Sequence, residues 1–258
     1  MRGMEPDGRD LEVAEEQTES SPELGLTKEQ RVATVVRART VCWVLNGGAV
    51  ACALWVWLYP RPYELAVMSL ALLPWVAIYV TARYRGVVAL NREKRGDPHP
   101  TSFFAFMVPS MVLMALVRRD IILLGVWQDV AIPVVLVAVI LTGAVYLADK
   151  ATQKHPIAAL ALLMFALLYG YGVVMEANAL FDRSQPKIYE TTVAWKSTTH
   201  RRGTSYHLAL MPWGPMTNGS NVTVTEDFYY AVEERGPVCV MLHKGAFSVA
   251  WYQVRTCE

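Results

Sequence analysis

The stretch PIAALALLMFALLYGYGVVMEANALFDRSQPKIYETTVAWKSTTH, residues 156–200, changes character once, and that change divides the chain. From Pro156 to Met175 no side chain is charged. A helix rising 1.5 Å per residue needs roughly 20 apolar residues to cross a hydrocarbon core of about 30 Å. This half therefore reads as a membrane span. From Ser184 onward the residues alternate instead. Tyr189, Thr191, Val193 and Trp195 fall on one face of a strand, the period of a half-buried sheet.

Four further uncharged stretches precede this one: Thr40–Leu58, Leu65–Ala82, Thr101–Val117 and Val130–Ala148. Lipid offers backbone groups no partner, so each is expected to be a helix. Pro74, Pro109 and Pro133 are expected to kink or start helices rather than abolish them. Apolar and aromatic residues make up 53% of the 258 residues, and charged ones only 18%, against about 25% in an ordinary soluble domain. That balance excludes a purely soluble enzyme and a wholly disordered chain. A net charge of +1 gives no bulk attraction to nucleic acid.

The fold class expected is a membrane α-helical protein of five transmembrane helices with a small C-terminal, mostly-β domain, a barrel or a sandwich. Residues 1–26 read as a disordered acidic cytoplasmic tail, rich in Asp and Glu and poor in large apolar side chains. Residues 27–183 hold the spans, at about 40–58, 65–82, 101–117, 130–148 and 156–175. Residues 184–258 form the β domain. Thr27, Glu29 and Gln30 are placed to open a short amphipathic helix ahead of the first span. That span is expected to be retained, because the segment before it is too long for a signal peptide.

Arg118-Arg119-Asp120 has two readings. Either Ile121–Trp127 is an interfacial segment between the third and fourth spans, or Phe103–Trp127 is one long helix with its charges partly buried. A mid-membrane Arg costs at least about 2.5–3.5 kcal/mol on insertion scales, which favours the first. Both keep five crossings.

Basic residues accumulate on the cytoplasmic side. Lys28, Arg31, Arg37, Arg39, Arg83, Arg85, Arg92, Lys94, Arg95, Lys150 and Lys154, eleven in all, share one side of a five-span chain. Arg61, Arg118, Arg119, Arg183 and Lys187, five in all, share the other. The bias puts the N-terminus in the cytoplasm and the C-terminus outside. Trp55, Trp57, Tyr59, Tyr63, Trp127, Tyr169 and Tyr171 would then sit near the outer headgroup layer.

In the β domain, Tyr206, Leu208 and Leu210 form a second inward row, with Arg201-Arg202-Gly203 as the turn before it. Val222 and Val224 suggest a third strand, and Thr225 caps a short helix expected to run through Glu234. Val238–Leu242 and Phe247–Val254 read as a closing hairpin around Lys244-Gly245. Cys42 and Cys52 lie in the first span as small apolar residues. Cys239 and Cys257 lie in the hairpin and form the disulfide candidate. In an oxidising compartment they would pair, and closing a loop of about 18 residues contributes roughly 3 kcal/mol in the chain-entropy picture. Two unpaired thiols are the alternative.

No Walker loop, dinucleotide fingerprint, HExxH or CxxC motif is present. His200, His207 and His243 lie on strand segments without zinc spacing. No catalytic, metal or cofactor-binding residue is assigned, and no cofactor is expected. Asn46 is the intramembrane polar candidate. It precedes Gly47 and Gly48, and the small pairs Gly47/Ala51, Gly48/Cys52 and Ala49/Ala53 permit close helix approach. Cross-helix packing is its first reading and a substrate site the second. Asp149, Glu176 and Asn178 fall at helix ends, where water is expected to reach them.

The string Leu208-Ala-Leu-Met-Pro-Trp-Gly-Pro215, then Val238-Cys-Val, Gly245 and Trp251-Tyr252 ending at Cys257, resembles uncharacterised multi-pass inner-membrane proteins of bacteria. The resemblance implies an inner-membrane location and a small β domain on the outer side, and it carries over no catalytic residue. The first functional reading is a non-enzymatic protein, bound in the lipid bilayer, whose β domain meets an envelope or membrane-protein partner or a ligand; Trp213, Tyr229 and Tyr230 are the candidate contact residues, with core packing as their equal alternative. A transporter or channel component built on Asn46 and Arg118-Arg119-Asp120 is the alternative, and an envelope-modifying enzyme the third.

Overall fold

A computed structural model describes residues 27–59, 61–90, 100–124, 127–149, 152–153, 156–200 and 204–257. The acidic segment 1–26 and the turn Arg201-Arg202-Gly203 lie outside the described residues. The chain divides into two units: residues 1–114 with 133–173, and residues 115–132 with 174–258.

The first unit is helical. Helix α1 (Lys28–Leu58) opens with a reciprocal cap. The Gln30 amide donates to Thr27 Oγ1 at 3.3 Å, and the Thr27 amide donates to Gln30 Oε1 at 3.1 Å. The short leading helix expected from the sequence is thus the first turns of α1 itself, since no strong breaker separates it from the span. Helices α2 (Tyr63–Arg83), α3 (Phe103–Asp120), α4 (Trp127–Ala148) and α5 (Pro156–Leu180) follow, with Pro74, Pro109 and Pro133 inside α2, α3 and α4. Among the described residues, four helices are long and apolar enough to cross a membrane: α1, α2, α4 and α5. Helix α3 has 18 residues and carries Arg118, Arg119 and Asp120 in its last turn.

Two glycines set how α5 is packed. A Cβ on Gly172 would stand 2.6 Å from Leu113 Cβ of α3. One on Gly170 would stand 2.8 Å from the Val134 carbonyl oxygen of α4. Positions two apart point to nearly opposite sides of a helix, so α5 is notched once for each neighbour. The Phe103 and Phe165 rings meet edge to face at 6.2 Å. Because residues 103 to 113 track residues 165 to 172, α3 and α5 run parallel over this stretch. Trp75 Nε1 donates to Tyr169 Oη at 3.0 Å, and that hydroxyl donates to the Ala71 carbonyl, tying α2 to α5. Ala49, Ala77 and Ala105 are fully buried together where α1, α2 and α3 meet. In lipid such contacts stabilise through van der Waals packing rather than water release.

The second unit is a six-stranded antiparallel sheet curled into a nearly closed barrel. Its strands are β1 (Ile122–Leu123), β2 (Lys187–His200), β3 (Thr204–Leu210), β4 (Ser220–Val224), β5 (Pro237–His243) and β6 (Trp251–Arg255), in the order β1-β6-β5-β2-β3-β4. The long β2 pairs with β5 through residues 187–192 and with β3 through residues 193–200. A bulge between Val193 and Trp195 bends it at the changeover, and a bulge raises local twist. The bulge also corrects the sequence reading of this strand. Tyr189, Thr191 and Val193 keep the inward phase, but Trp195 is turned out and is 49% exposed.

Val193, Leu208, Leu210, Trp213, Val222, Val238, Val240 and Tyr252 form the buried core. Helix α6 (Glu226–Ala231) starts under the Thr225 cap, whose Oγ1 accepts from the Phe228 amide at 3.4 Å. It ends earlier than the expected Glu234, because Val232 leaves the helix in an extended conformation and turns into the core. The closing strand begins at Trp251 rather than Phe247, since Gly245 and Ser248 adopt positive φ in a longer loop. The segment after α3 joins the sheet. Ile122 and Leu123 pair with Tyr252 and Trp251, and the Leu124 amide donates to the Ala250 carbonyl at 3.0 Å. These apolar residues form an edge of the barrel, and Ile122 and Leu124 pack on its core.

Candidate functional site

Asn46 sits on α1 facing the start of α3. Its Nδ2 donates to the Thr101 carbonyl at 2.7 Å, and its Oδ1 accepts from the Ala105 amide at 3.0 Å. Both polar atoms are used on backbone, and the Ala105 amide is one of those left over at a helix start. The neighbouring glycines behave differently from expectation. A Cβ at Gly47 or Gly48 would meet nothing within 4 Å, so among the described residues no helix presses into either. Ala49 supplies the close contact instead.

Asp149, Glu176 and Asn178 are buried rather than watered, at 4%, 2% and 0% exposure. Asp149 accepts from Thr152 Oγ1 at 2.8 Å and from the Leu90 amide at 3.3 Å. These partners take the place of water, the usual condition for burying a polar group.

Asn178 belongs to a polar clasp between the end of α5 and the β5–β6 loop. Its Nδ2 donates to the Val249 carbonyl at 2.9 Å, its Oδ1 accepts from the Phe247 amide at 2.9 Å, and its own carbonyl accepts from the Ala246 amide at 3.0 Å. Asp182 Oδ2 accepts from the Gly245 amide at 2.7 Å and from Trp251 Nε1 at 3.3 Å, while Oδ1 accepts from the Ser184 amide at 2.8 Å. Gly245 is needed here twice over. Its φ is 77°, and a Cβ would stand 2.5 Å from the Asn178 amide. Partial desolvation pushes the Asp182 carboxyl up, but the bonds from Ser184, Gly245 and Trp251 outweigh it and hold it below the ordinary value. His243 stacks on Trp251 at 4.2 Å, and burial lowers its imidazole below the usual value, with Asp182 opposing and Arg255 assisting. Sequence reasoning missed this clasp, because its donors are mostly backbone amides.

On the barrel surface Tyr206, Tyr229 and Tyr230 meet pairwise with centroids 5.0–5.8 Å apart, and Tyr230 is 68% exposed. A hydrogen bond to Glu226 raises the Tyr206 phenol. Lys196, brought inward by the bulge, lies 4.2 Å over the Tyr229 ring. Its Nζ donates to the carbonyls of Tyr229 and Val232 at the end of α6, where a cation suits the helix dipole. Trp213, for which the sequence leaves a surface contact and core packing both open, is 3% exposed and donates through Nε1 to Ser220 Oγ at 3.1 Å. It belongs to the core.

The Cys239 and Cys257 sulfurs are 2.17 Å apart, a disulfide pair, with Cα atoms at 5.0 Å. Cys42 is buried and Cys52 half-buried, both unpaired. His200 contacts Thr198 and Thr204, and His207 contacts Thr223. Among the described residues no three His, Cys, Asp or Glu side chains gather in a metal-holding group. No protein family, curated protein or solved structure matched the chain.

Proposed function

We propose a five-span inner-membrane protein whose C-terminal barrel stands outside the cytoplasm and binds an envelope partner or ligand. Crossing parity supports the threading. Strand β1 lies between α3 and α4 and pairs with β6, which follows α5. Both connections must then share one face of the membrane, which α4 and α5 satisfy as an out-and-back pair. Helix α3 lies parallel to α5, from Phe103 beside Phe165 to Leu113 beside Gly172. A helix packed this way beside a spanning one crosses with it, and arginines in its last turn reach the headgroups. Three crossings then separate the N-terminus from the barrel, and the excess of Lys and Arg on the N-terminal side makes that side cytoplasmic. The Cys239–Cys257 pair suits an oxidising compartment.

One observation favours a second reading. If α3 does not cross, thirteen of the sixteen loop Lys and Arg residues share the N-terminal side, leaving only Arg61, Lys150 and Lys154 opposite. The barrel would then be cytoplasmic. The parallel packing on α5 and the cysteine pair weigh against it.

The observation that carries the binding role is the tyrosine cluster on the core-filled barrel, with Tyr230 exposed and Tyr206 and Tyr229 half-buried beside it. Rings of this kind anchor interfaces at low entropic cost. A photo-crosslinking residue in place of Tyr230 is expected to trap one defined adduct in cells, lost when Tyr206 is changed to Ala. The same adduct from a crosslinker at Asn221, on β4, would contradict the assignment. The transporter alternative predicts instead that Asn46→Leu abolishes a solute flux while insertion is intact.

A further inference from the structure

The clasp fixes the β5–β6 loop at the height of the last turn of α5. Ala246 and Phe247 bond to Asn178, and Gly245 bonds to Asp182. Asn178 is only two residues from the helix end at Leu180, a rise of about 3 Å. What this level exposes has a definite composition. Phe181 is 64%, Phe247 52% and Ile188 63% exposed. Beside them Arg183, Lys187 and Lys244 are exposed, as are Arg118 and Arg119 one turn before β1. Lys187 pairs with Leu242, next to His243 and the loop, so these cations gather at the end of the barrel where α5 finishes. Exposed apolar rings beside long basic side chains are what a headgroup layer stabilises. Arg118, Arg119, Arg183 and Lys187 are four of the five basic residues that oppose the positive-inside bias in the five-span threading, so they need a reason to lie on the barrel's side.

We infer that the β5–β6 loop and the end of α5 form a binding surface for anionic phospholipid headgroups, with Phe247 and Phe181 entering the acyl boundary and Arg183, Lys187 and Lys244 meeting the phosphates. The inference rests on α5 spanning the membrane but holds for either orientation of the barrel. Each basic side chain near an anionic surface contributes enough to change the preference about fivefold.

The test uses the full chain in lipid nanodiscs, with dansyl on Phe247→Cys in a background with Cys42 and Cys52 replaced by Ala. Spin-labelled phosphatidylglycerol and spin-labelled phosphatidylcholine compete to quench it. Quenching is expected with a clear preference for phosphatidylglycerol, falling about fivefold for Lys244→Gln and retained for Lys244→Arg. Equal quenching by the two lipids, or none, overturns the inference. A second dansyl at Leu160, exposed on α5, separates the two readings. Quenching there without quenching at 247 leaves the span standing and removes the headgroup surface, whereas quenching at neither removes the span as well.

Discussion

Gly47-Gly48 on α1 and Gly170/Gly172 on α5 look alike in sequence and are used in opposite ways. At Gly170 and Gly172 a single added carbon would collide with α4 and α3. At Gly47 and Gly48 it would meet nothing within 4 Å. A small residue in a span permits close approach, but only the surrounding packing decides whether a neighbour takes it up. Asn46, adjacent to the open pair, is engaged through its own amide rather than through the glycines.

The contrast can be broken most forcefully at Gly172. Its Cβ would press on Leu113 Cβ at 2.6 Å and on the Leu113 backbone carbon at 2.9 Å. Gly172→Ala is expected to cost about 1–3 kcal/mol, read as a lowered Tm of the detergent-solubilised chain. An unchanged Tm would show that α3 does not sit against α5. Asn46→Leu comes next, at about 0.6–1.7 kcal/mol, the range measured for hydrogen bonds between membrane helices. Hydrogen exchange at the Ala105 amide should rise in that variant and not at amides of α4.

Asp182 sharpens the same point outside the helices, where one side chain again gathers backbone donors. Its folded carboxyl is lowered, so the charged form is the one stabilised by folding. That contribution is present above the unfolded value of about 3.9 and is lost as pH falls through the lower folded value. Protection of the Gly245 amide should therefore decline on acidification below about pH 4, while Asp182→Asn should show a pH-independent, weaker protection. The smallest effect is expected at Gly47. Gly47→Ala should be neutral or stabilising by up to about 1 kcal/mol, the helix-propensity difference. A clear loss would mean that this face meets another chain.

Much of this fold was readable from charge-free runs and alternation. Val130–Ala148 forms a helix long and apolar enough to span, as its charge-free run predicts, and Leu208, Leu210 and Val222 point inward as their alternation predicts. The misreadings have physical causes. A bulge shifts side-chain phase by one, so Trp195 left the face that period-two counting gave it. Ile122 and Leu123 pair with β6, more than a hundred residues later, a long-range partnership without local signature. Trp213 is open in sequence between a surface contact and the core, and the Met216 turn that folds it onto Tyr252 decides for the core. The burial of Asp149 and Asn178 depends on partners far along the chain, Leu90 for one and Val249 for the other. The tyrosine cluster was half legible: Tyr229 and Tyr230 were visible as neighbours, but Tyr206 joins them only through the sheet.

The threading itself is open to one direct measurement. Single cysteines at Arg85, exposed just after α2, and at Asn221, exposed on β4, can be treated in spheroplasts with a membrane-impermeant maleimide, in a background with Cys42 and Cys52 replaced. Odd crossing of the first three helices predicts labelling at 221 and none at 85 until the membrane is permeabilised. Protection of both sites, or labelling of both, would put the barrel and the α2–α3 connection on the same face and contradict the five-span account.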